Sequence, residues 1–275
     1  MLNRPAAEAA PHVGAALAES YRVVAGRADA GLVILCDHAE NAFPLEYGTL
    51  GLPPAEIARH IAYDIGAAGI VERLARELEA PAVLSRFSRL LIDLNRGADD
   101  PTLIMRFSDG AVIPGNRHLD DTERKHRFAR FYEPYHRAVT EVVDRCQCHH
   151  AMPVLLSIHS FTEVWRGEIR PWQVGVLWDS DRRLAGPMIE ELLAEGDLLV
   201  GDNEPYSGKL QGDTMWRHGT MRGLPHALIE VRQDLIRDVA GQAEWAHRLA
   251  RVLRRIAARH AELGLDIASA EAAHR

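Results

Sequence analysis

The chain has few cysteines, no long hydrophobic run and no excess of positive charge. Its 275 residues include 3 cysteines, and its formal net charge is −7 at pH 7. So few cysteines argue against a disulfide framework, and a negative chain is a poor general ligand for phosphate-rich nucleic acid. No apolar run reaches the roughly 20 residues that a membrane-spanning helix needs. We therefore expect a small-molecule ligand, with no nucleic-acid partner and no membrane span.

The cysteines and the N-terminal residues favour a cytoplasmic location. The first twenty residues contain no continuous apolar segment of the kind found in secretory signals. Cys146 and Cys148 lie in the cluster CQCHH, but no second CxxC or HxxxH pattern is present to complete a tetrahedral zinc site. We expect reduced thiols there and no structural metal.

Short apolar segments alternate with helical patterns along the chain. The segments predict buried strands at 31–36, 82–84, 90–92, 153–158, 174–178 and 227–232. Helices are predicted at 53–80 (one, or two in series), 121–148, from an N-cap at 179–181 to 198, and at 238–263. The alternation predicts one α/β domain over residues 1–275, a three-layer α/β/α sandwich with a mostly parallel sheet.

Polar residues follow several of these strands directly. His38 and His159 each come just after an apolar strand, and the carboxyl ends of parallel strands meet at one edge of a sheet. Two imidazoles there could bind one divalent metal, which would need a carboxylate such as Glu40 or Asp64 as a third ligand. The alternative is that both histidines only form hydrogen bonds with the backbone.

Other ionisable residues admit both a functional and a structural interpretation. Glu230 interrupts an apolar strand, so it is either paired with Arg232 or Arg217 or serves as a general base. Arg96, at the end of 93–96, could capture a carboxylate or stabilise an oxyanion, while Asp93 could simply neutralise an arginine. The Gly-rich stretch 201–223 could form a lid or bind the substrate, or it could be a solvated loop. Its candidate substrate-binding residues are Arg217, His218 and Arg222.

Five segments in the same order resemble the N-formylglutamate amidohydrolase family. They span about residues 30–240 and are DHAENAFP from Asp37, IDLNR from Ile92, SIHS from Ser157, NEPYSG from Asn203 and IEVRQDL from Ile229. The stretch HIAYDIGA from His60 belongs to the same resemblance. Any single segment is a weak signal, whereas five in order make a coincidence improbable.

The resemblance implies a fold and a set of roles. The family is related to zinc carboxypeptidases and aspartoacylases, which implies a mixed, mostly parallel sheet of the phosphorylase/hydrolase-like, zinc-exopeptidase type and one catalytic Zn²⁺ per chain. His38 and His159 would be zinc ligands, and Glu230 the base. Asn95 and Arg96 would hold a substrate carboxylate, with Arg217 and His218 as further substrate-binding candidates.

The third zinc ligand is a point where the chain departs from the carboxypeptidase pattern. Carboxypeptidases carry His-x-x-Glu, whereas Asn41 stands at the third position after His38. An amide oxygen is a poorer zinc ligand than a carboxylate. By resemblance we expect Asp64 to be the third ligand, on the helix after His60, with Glu40 as the second choice.

These observations lead to an expected reaction and its rivals. We expect a cytoplasmic, zinc-dependent amidohydrolase that cleaves an N-acyl amino acid, with N-formylglutamate as the specific guess and glutamate and formate as products. A carboxypeptidase or amidase acting on peptides or cell-wall fragments is one rival. A non-catalytic small-molecule-binding protein of the same fold is the other.

Overall fold

A mixed seven-stranded sheet forms the centre of the molecule. This computed structural model describes residues 19–267 of the chain. The strands, in chain order, are β1 Tyr21–Val24, β2 Leu32–Cys36, β3 Ala82–Ser85, β4 Phe107–Ser108, β5 Ala111–Val112, β6 Val154–Phe161, β7 Val164–Trp165, β8 Glu168–Ile169, β9 Val174–Leu177, β10 Val200–Asp202 and β11 His226–Arg232. The large sheet has the order β1-β3-β2-β6-β11-β9-β10. The pairs β4–β5 and β7–β8 form two separate short hairpins.

Most neighbours in the large sheet are parallel. Four pairs run parallel, namely β3–β2, β2–β6, β6–β11 and β9–β10. The pairs β1–β3 and β11–β9 are antiparallel. The sheet is therefore mixed and mostly parallel, as expected from the alternation of strands and helices.

Helices cover both faces of the sheet. They are α1 Pro54–Ile57, α2 Ala67–Glu77, α3 Asp121–Arg127, α4 Glu133–Gln147, α5 Ala185–Leu193, α6 Thr214–His218, α7 Val239–Ala258 and α8 His260–Leu263. A π-helical turn, Phe128–Tyr132, joins α3 to α4. On one face the core contains side chains of α2, α5 and α7, and on the other it contains those of α4 and of the segment 87–113. The three-layer α/β/α arrangement is confirmed.

Alternation along the central strands decides which side chains reach the site. In β6, Val154, Leu156 and Ile158 pack into the core beneath α2, α5 and α7, whereas Leu155 packs against the α4 side. Because side chains alternate across a strand, His159 faces the α4 side. By the same rule Glu230 of β11 shares that side with Leu228. These polar residues therefore lie on one face, at the carboxyl ends of parallel neighbours.

Most predicted elements are present, with three corrections. Residues 90–92 form no strand: they lie in a turn-rich loop whose side chains are buried against α4, so burial and not pairing explains the apolar run. The helix predicted from 179–181 begins only at Ala185, because the Asp181 carboxylate binds Arg183 and does not cap a helix. That helix also ends at Leu193 and not at 198, and neither the two edge strands, β1 and β10, nor the two short hairpins were predicted.

Two helix predictions are refined by the structure. The segment 53–80 contains α1 and α2 separated by turns, and the C-terminal pattern is divided into α7 and α8 at Arg259. Within the described residues, none of the helices is long and apolar enough to cross a membrane.

Candidate active site

Two histidines and an aspartate converge at the carboxyl edge of the sheet. The Nδ1 atoms of His38 and His159 lie 3.3 and 2.7 Å from the same oxygen of Asp64, Oδ2. All three side chains are buried. One atom from each residue can be chosen so that the three lie within 4.8 Å of one another, and no other such group of three occurs within residues 19–267. The arrangement is a set of donors that could hold one metal ion.

The backbone explains how Asp64 reaches the two strand ends. Asp64 does not lie on a helix as predicted but in the turn before α2, where its amide donates to the His38 carbonyl at 2.9 Å. Gly66 follows with φ of 84°, and a Cβ there would meet the Ile236 carbonyl oxygen at 2.2 Å. Because only glycine fits this turn, the sequence Asp-Ile-Gly fixes the aspartate beside His38.

Each histidine also contacts a second carboxylate through its other ring nitrogen, Nε2. His38 Nε2 lies 2.7 Å from Asp93 Oδ1, and His159 Nε2 lies 3.1 Å from Asp37 Oδ2. Protein carboxylates commonly orient a metal-binding imidazole through its other nitrogen in this way. The two Nδ1 atoms are therefore left to face Asp64.

Asp37 and Asp93 are themselves embedded in hydrogen bonds. Burial acts to raise the pKa of the Asp37 carboxyl, but the hydrogen bond and positive charge of His159 outweigh it and hold that pKa well below its usual range. Asp37 Oδ1 also accepts from the hydroxyls of Tyr135 at 2.8 Å and Thr214 at 2.7 Å. Asp93 accepts from the Arg89 guanidinium at 2.7 Å, which confirms that it neutralises an arginine.

Glu230 lies on the neighbouring strand, β11. It is opposite His159 in the β6–β11 register, and its Oε2 is buried without a hydrogen bond within the described residues. Burial raises the pKa of this carboxyl to about 7. The ion pair considered from the sequence does not form, because Arg232 binds Asp234 and Arg217 lies elsewhere. A carboxyl of this kind can exchange a proton near neutral pH.

A cavity of about 430 Å³ opens onto these groups. Its wall includes His38, Asp64, His159 and Glu230, together with other side chains from loops around the sheet edge: His60, Asn95, Arg96, Trp165, Tyr206 and Lys209. The predicted metal ligands, base and carboxylate-binding residues thus line one space.

Arg96 is one of two cationic wall residues, with Lys209, that no carboxylate pairs with among the described residues. Its guanidinium donates to the Asn95 carbonyl at 2.8 Å and the Thr102 hydroxyl at 3.2 Å. No carboxylate lies within ion-pair distance of it in the part of the chain that the structure describes. By contrast, the Arg89 guanidinium is already bound to Asp93.

Arg217 and His218 do not line this cavity. The Arg217 guanidinium lies over the Tyr132 ring, 5.2 Å from its centre, and His218 Nε2 contacts His136 Nδ1 at 2.9 Å. Both residues line a separate open groove beside α4. The geometry therefore gives no support to their predicted role in substrate binding. Glu40, the second choice for the third ligand, pairs with Arg22 at 3.2 Å and is not part of the donor set.

Comparison with known sequences identifies the family. The family model for N-formylglutamate amidohydrolase matches residues 30–237. The chain belongs to this family. A comparison with curated proteins gives no match.

Two solved structures resemble this member of the family. A gene product of Agrobacterium tumefaciens is 34% identical in sequence, with a TM-score of 0.80 over 87% of this chain and 95% of that one. An N-formylglutamate amidohydrolase from Ralstonia eutropha is 20% identical, with a TM-score of 0.71 over 90% of this chain and all of the other, 100%. At that identity the second likeness shows a shared fold.

Several residues that shape the site of this amidohydrolase were not predicted from sequence. Asp37 precedes His38 at a strand end, and this position alone could have indicated that it lies near the site. Its contact with His159 Nε2 was not predicted. Tyr135 and Thr214 had no such signal, because each contacts Asp37 from an element distant in the chain.

Asn116 is the least expected of these residues. It is fully buried, and its amide group donates to the carbonyls of Leu90 at 2.8 Å and Met105 at 2.7 Å. Its Oδ1 accepts from the Arg127 guanidinium at 2.7 Å. Asn116 thereby ties α3 to both sides of the loop that carries Asp93.

We expect Asn116→Leu to destabilise the protein. The variant is similar in size but leaves the buried Leu90 carbonyl, the half-buried Met105 carbonyl and part of a guanidinium without these partners, each costing about 1–3 kcal/mol. The free energy of unfolding, measured by urea denaturation, should fall by about 3 kcal/mol or more. Asn41→Leu is the matched control: Asn41 is half-buried and makes one such bond, to the Ile57 carbonyl, so its loss should be about 1 kcal/mol. Equal losses in the two variants would contradict this role for Asn116.

Proposed function

We propose that this amidohydrolase uses one Zn²⁺ ion to cleave the amide bond of an N-acyl amino acid, with N-formyl-L-glutamate as the substrate. The observation that supports this most directly is the convergence of His38, Asp64 and His159 on the wall of a cavity that Glu230 also lines, its Oε2 having no hydrogen-bond partner among the described residues. Two imidazoles and a carboxylate are a common zinc ligand set in hydrolases.

The charges around the donor set fit a divalent cation. Asp37, Asp64 and Asp93 are three buried carboxylates, and Arg89 is the guanidinium that contacts two of them, Asp64 and Asp93. Without a metal, the His159 imidazolium compensates one of the remaining charges, since burial lowers its pKa but Asp37 and Asp64 raise it by more. An imidazole must be neutral to bind a metal, and with both imidazoles neutral two negative charges would be left without compensation in a buried region, which is unfavourable. A doubly charged cation held by the donor set would balance them. The carboxylates behind both histidines supply the orientation that such a site needs.

The chain's own residues supply the remaining chemistry. A divalent ion held by these ligands lowers the pKa of water and polarises a carbonyl group. Glu230 accepts the proton that the attacking water loses and transfers it to the amide nitrogen as the C–N bond breaks. The products are the carboxylate of the acyl group and the free amine. The burial of Glu230 suits this exchange, because it brings the carboxyl pKa close to neutrality.

The substrate's carboxylate is assigned to Arg96, with Asn95 beside it. A planar guanidinium can bind a carboxylate with two parallel hydrogen bonds, and this one has no competing carboxylate among the described residues. Asn95 is buried, and its Oδ1 accepts from the Thr214 amide at 3.1 Å, so its side chain is held at the cavity wall. An N-acyl amino acid would thus present its carboxylate to Arg96 and its amide to Glu230.

Metal analysis tests the ligand set. Protein purified without chelator should contain one zinc per chain by plasma mass spectrometry, and Asp64→Asn should lose most of it because an amide oxygen is a weaker zinc ligand. Glu40→Gln, which changes the other candidate carboxylate, should retain the full content. Zinc lost from Glu40→Gln and kept by Asp64→Asn would reverse the assignment, and a wild-type protein that binds no divalent ion would end the metal proposal.

A substrate panel tests the reaction. The zinc-loaded protein should release formate from N-formyl-L-glutamate with kcat/KM of about 10⁴ M⁻¹s⁻¹ or more, the usual range for an enzyme on its own substrate. Removal of zinc by a chelator should abolish turnover, and added zinc should restore it. Faster release of C-terminal residues from short peptides would favour the carboxypeptidase rival. Binding of the amino acid derivative without any turnover would favour the non-catalytic one.

Glu230→Gln tests the base. The variant keeps the size of the side chain but cannot accept a proton, so kcat should fall by roughly 10²- to 10⁴-fold. Its zinc content and melting temperature should match those of the wild type, since Glu230 is outside the donor set. A variant with the wild-type rate would rule out the role.

A further inference from the structure

The loop Asn203–Gly208 borders the cavity and is held in place by hydrogen bonds and close packing. The Asn203 side-chain oxygen accepts from the amides of Trp178 and Gly208, both at 3.0 Å, which closes the loop on itself. A Cβ at Gly175 in β9 would meet the Glu204 carbonyl oxygen at 2.0 Å, so the loop packs directly on the strand backbone. The loop is therefore fixed against the sheet, and Tyr206 is one of its residues on the cavity wall, with Ser207 and Gly208.

A buried arginine holds the Tyr206 side chain. Arg170 is 8% exposed, and its guanidinium donates to the Tyr206 hydroxyl oxygen at 3.0 Å. The guanidinium carbon also lies 4.9 Å from the centre of the Tyr206 ring and 5.3 Å from that of Trp165. No carboxylate pairs with Arg170 within residues 19–267. A buried guanidinium without a counter-ion is unfavourable for folding. Stability therefore does not explain why Arg170 is buried beside the phenol.

The hydrogen of the Tyr206 hydroxyl is left for a ligand. A phenol has one hydrogen to donate, and here its oxygen already accepts from Arg170. Arg170 is its one hydrogen-bond partner in the part of the chain that the structure describes. Burial and the nearby Glu230 carboxylate raise the pKa of the phenol, so it stays protonated at neutral pH. The residue is 43% exposed and lines the same cavity as His159 and Glu230.

We propose that Tyr206 is a catalytic residue that donates a hydrogen bond to the substrate oxygen that gains negative charge when water adds to the amide carbonyl. Arg170 acts through it as a positioning residue, fixing the hydroxyl and polarising its O–H bond. This inference rests on the proposed amide hydrolysis. A fixed donor aimed at developing charge stabilises the transition state more than the ground state, because it needs no reorganisation during the reaction.

Tyr206→Phe tests the contact with N-formyl-L-glutamate as substrate. The variant should lower kcat by roughly 10- to 10³-fold, as for removal of one oxyanion donor, with little change in KM. Tyr21→Phe, in the edge strand β1, is the control and should keep the wild-type rate. A kcat within twofold of the wild type, or a change in KM alone, would overturn the inference while leaving the proposed function intact.

A double-mutant cycle tests the role of Arg170. Arg170→Met should lower kcat in the wild-type protein but change it less than about threefold in Tyr206→Phe, because residues that act through one contact are not additive. The same fold-change in both backgrounds would show that Arg170 is only structural and would refute its positioning role. Zinc content and melting temperature of each variant show whether the fold is retained.

Binding of two probes tests the contact without turnover. N-phosphoryl-L-glutamate places a tetrahedral phosphorus where the substrate has its planar carbonyl, whereas L-glutamate has no atom there. By calorimetry, Tyr206→Phe should weaken binding of the first at least tenfold and leave the second unchanged. This pattern in a protein that does not hydrolyse N-formyl-L-glutamate would support the contact and reject the proposed function. Equal effects on both probes would reject the contact.

Discussion

The site depends on one buried oxygen, Oδ2 of Asp64, which two imidazoles approach from neighbouring strands. His38 and His159 belong to segments more than a hundred residues apart, and the parallel pairing of β2 with β6 brings them to the same edge. Their ring centres lie 5.0 Å apart with an angle of 81° between the planes. Every other feature of the site either holds these three groups or lines the space in front of them.

The cost of burying this cluster explains much of the surrounding structure. Carboxylates without partners are unfavourable in a protein interior, so each of the three aspartates here is met by several donors. Asp37 accepts hydrogen bonds from the hydroxyls of Tyr135, Ser157 and Thr214, and Asp93 accepts from a guanidinium. Glu230 is the exception, since it lies among these groups with a buried oxygen that has no partner in the part of the chain that the structure describes. The aspartates are thus fixed by hydrogen bonds, whereas this oxygen of Glu230 is not.

Loops, and not strands, supply most of the cavity wall. The segment 93–96, the turn before α2 and the loop Asn203–Gly208 meet above the carboxyl ends of β2, β6 and β11. Each is fixed by contacts with the sheet or with a neighbouring helix: Asn116 holds the first, Gly66 the second and Gly175 the third. Such anchoring is what preorganised catalysis requires, because groups that must move during the reaction stabilise its transition state poorly.

The sequence by itself determined the central strands of the large sheet, the class of fold and part of the site. Apolar runs of four to eight residues reflect burial on both faces of a sheet, so β2, β6, β9 and β11 could be predicted, and His38 and His159 followed from their positions at strand ends. The same run at 90–92 was misleading, since a buried loop and a buried strand require the same apolar residues.

Tertiary structure decided the rest, because contacts between distant segments leave no local pattern. It favoured Asp64 over Glu40, because Glu40 forms an ion pair with Arg22 of β1 and is not part of the donor set. It removed Arg217 and His218 from the cavity by placing α6 against α4, and it left Glu230 without the arginine that its neighbours in the sequence suggested. Local spacing can indicate which residues are able to react, whereas only the packing of the loops on the sheet determines which of them meet.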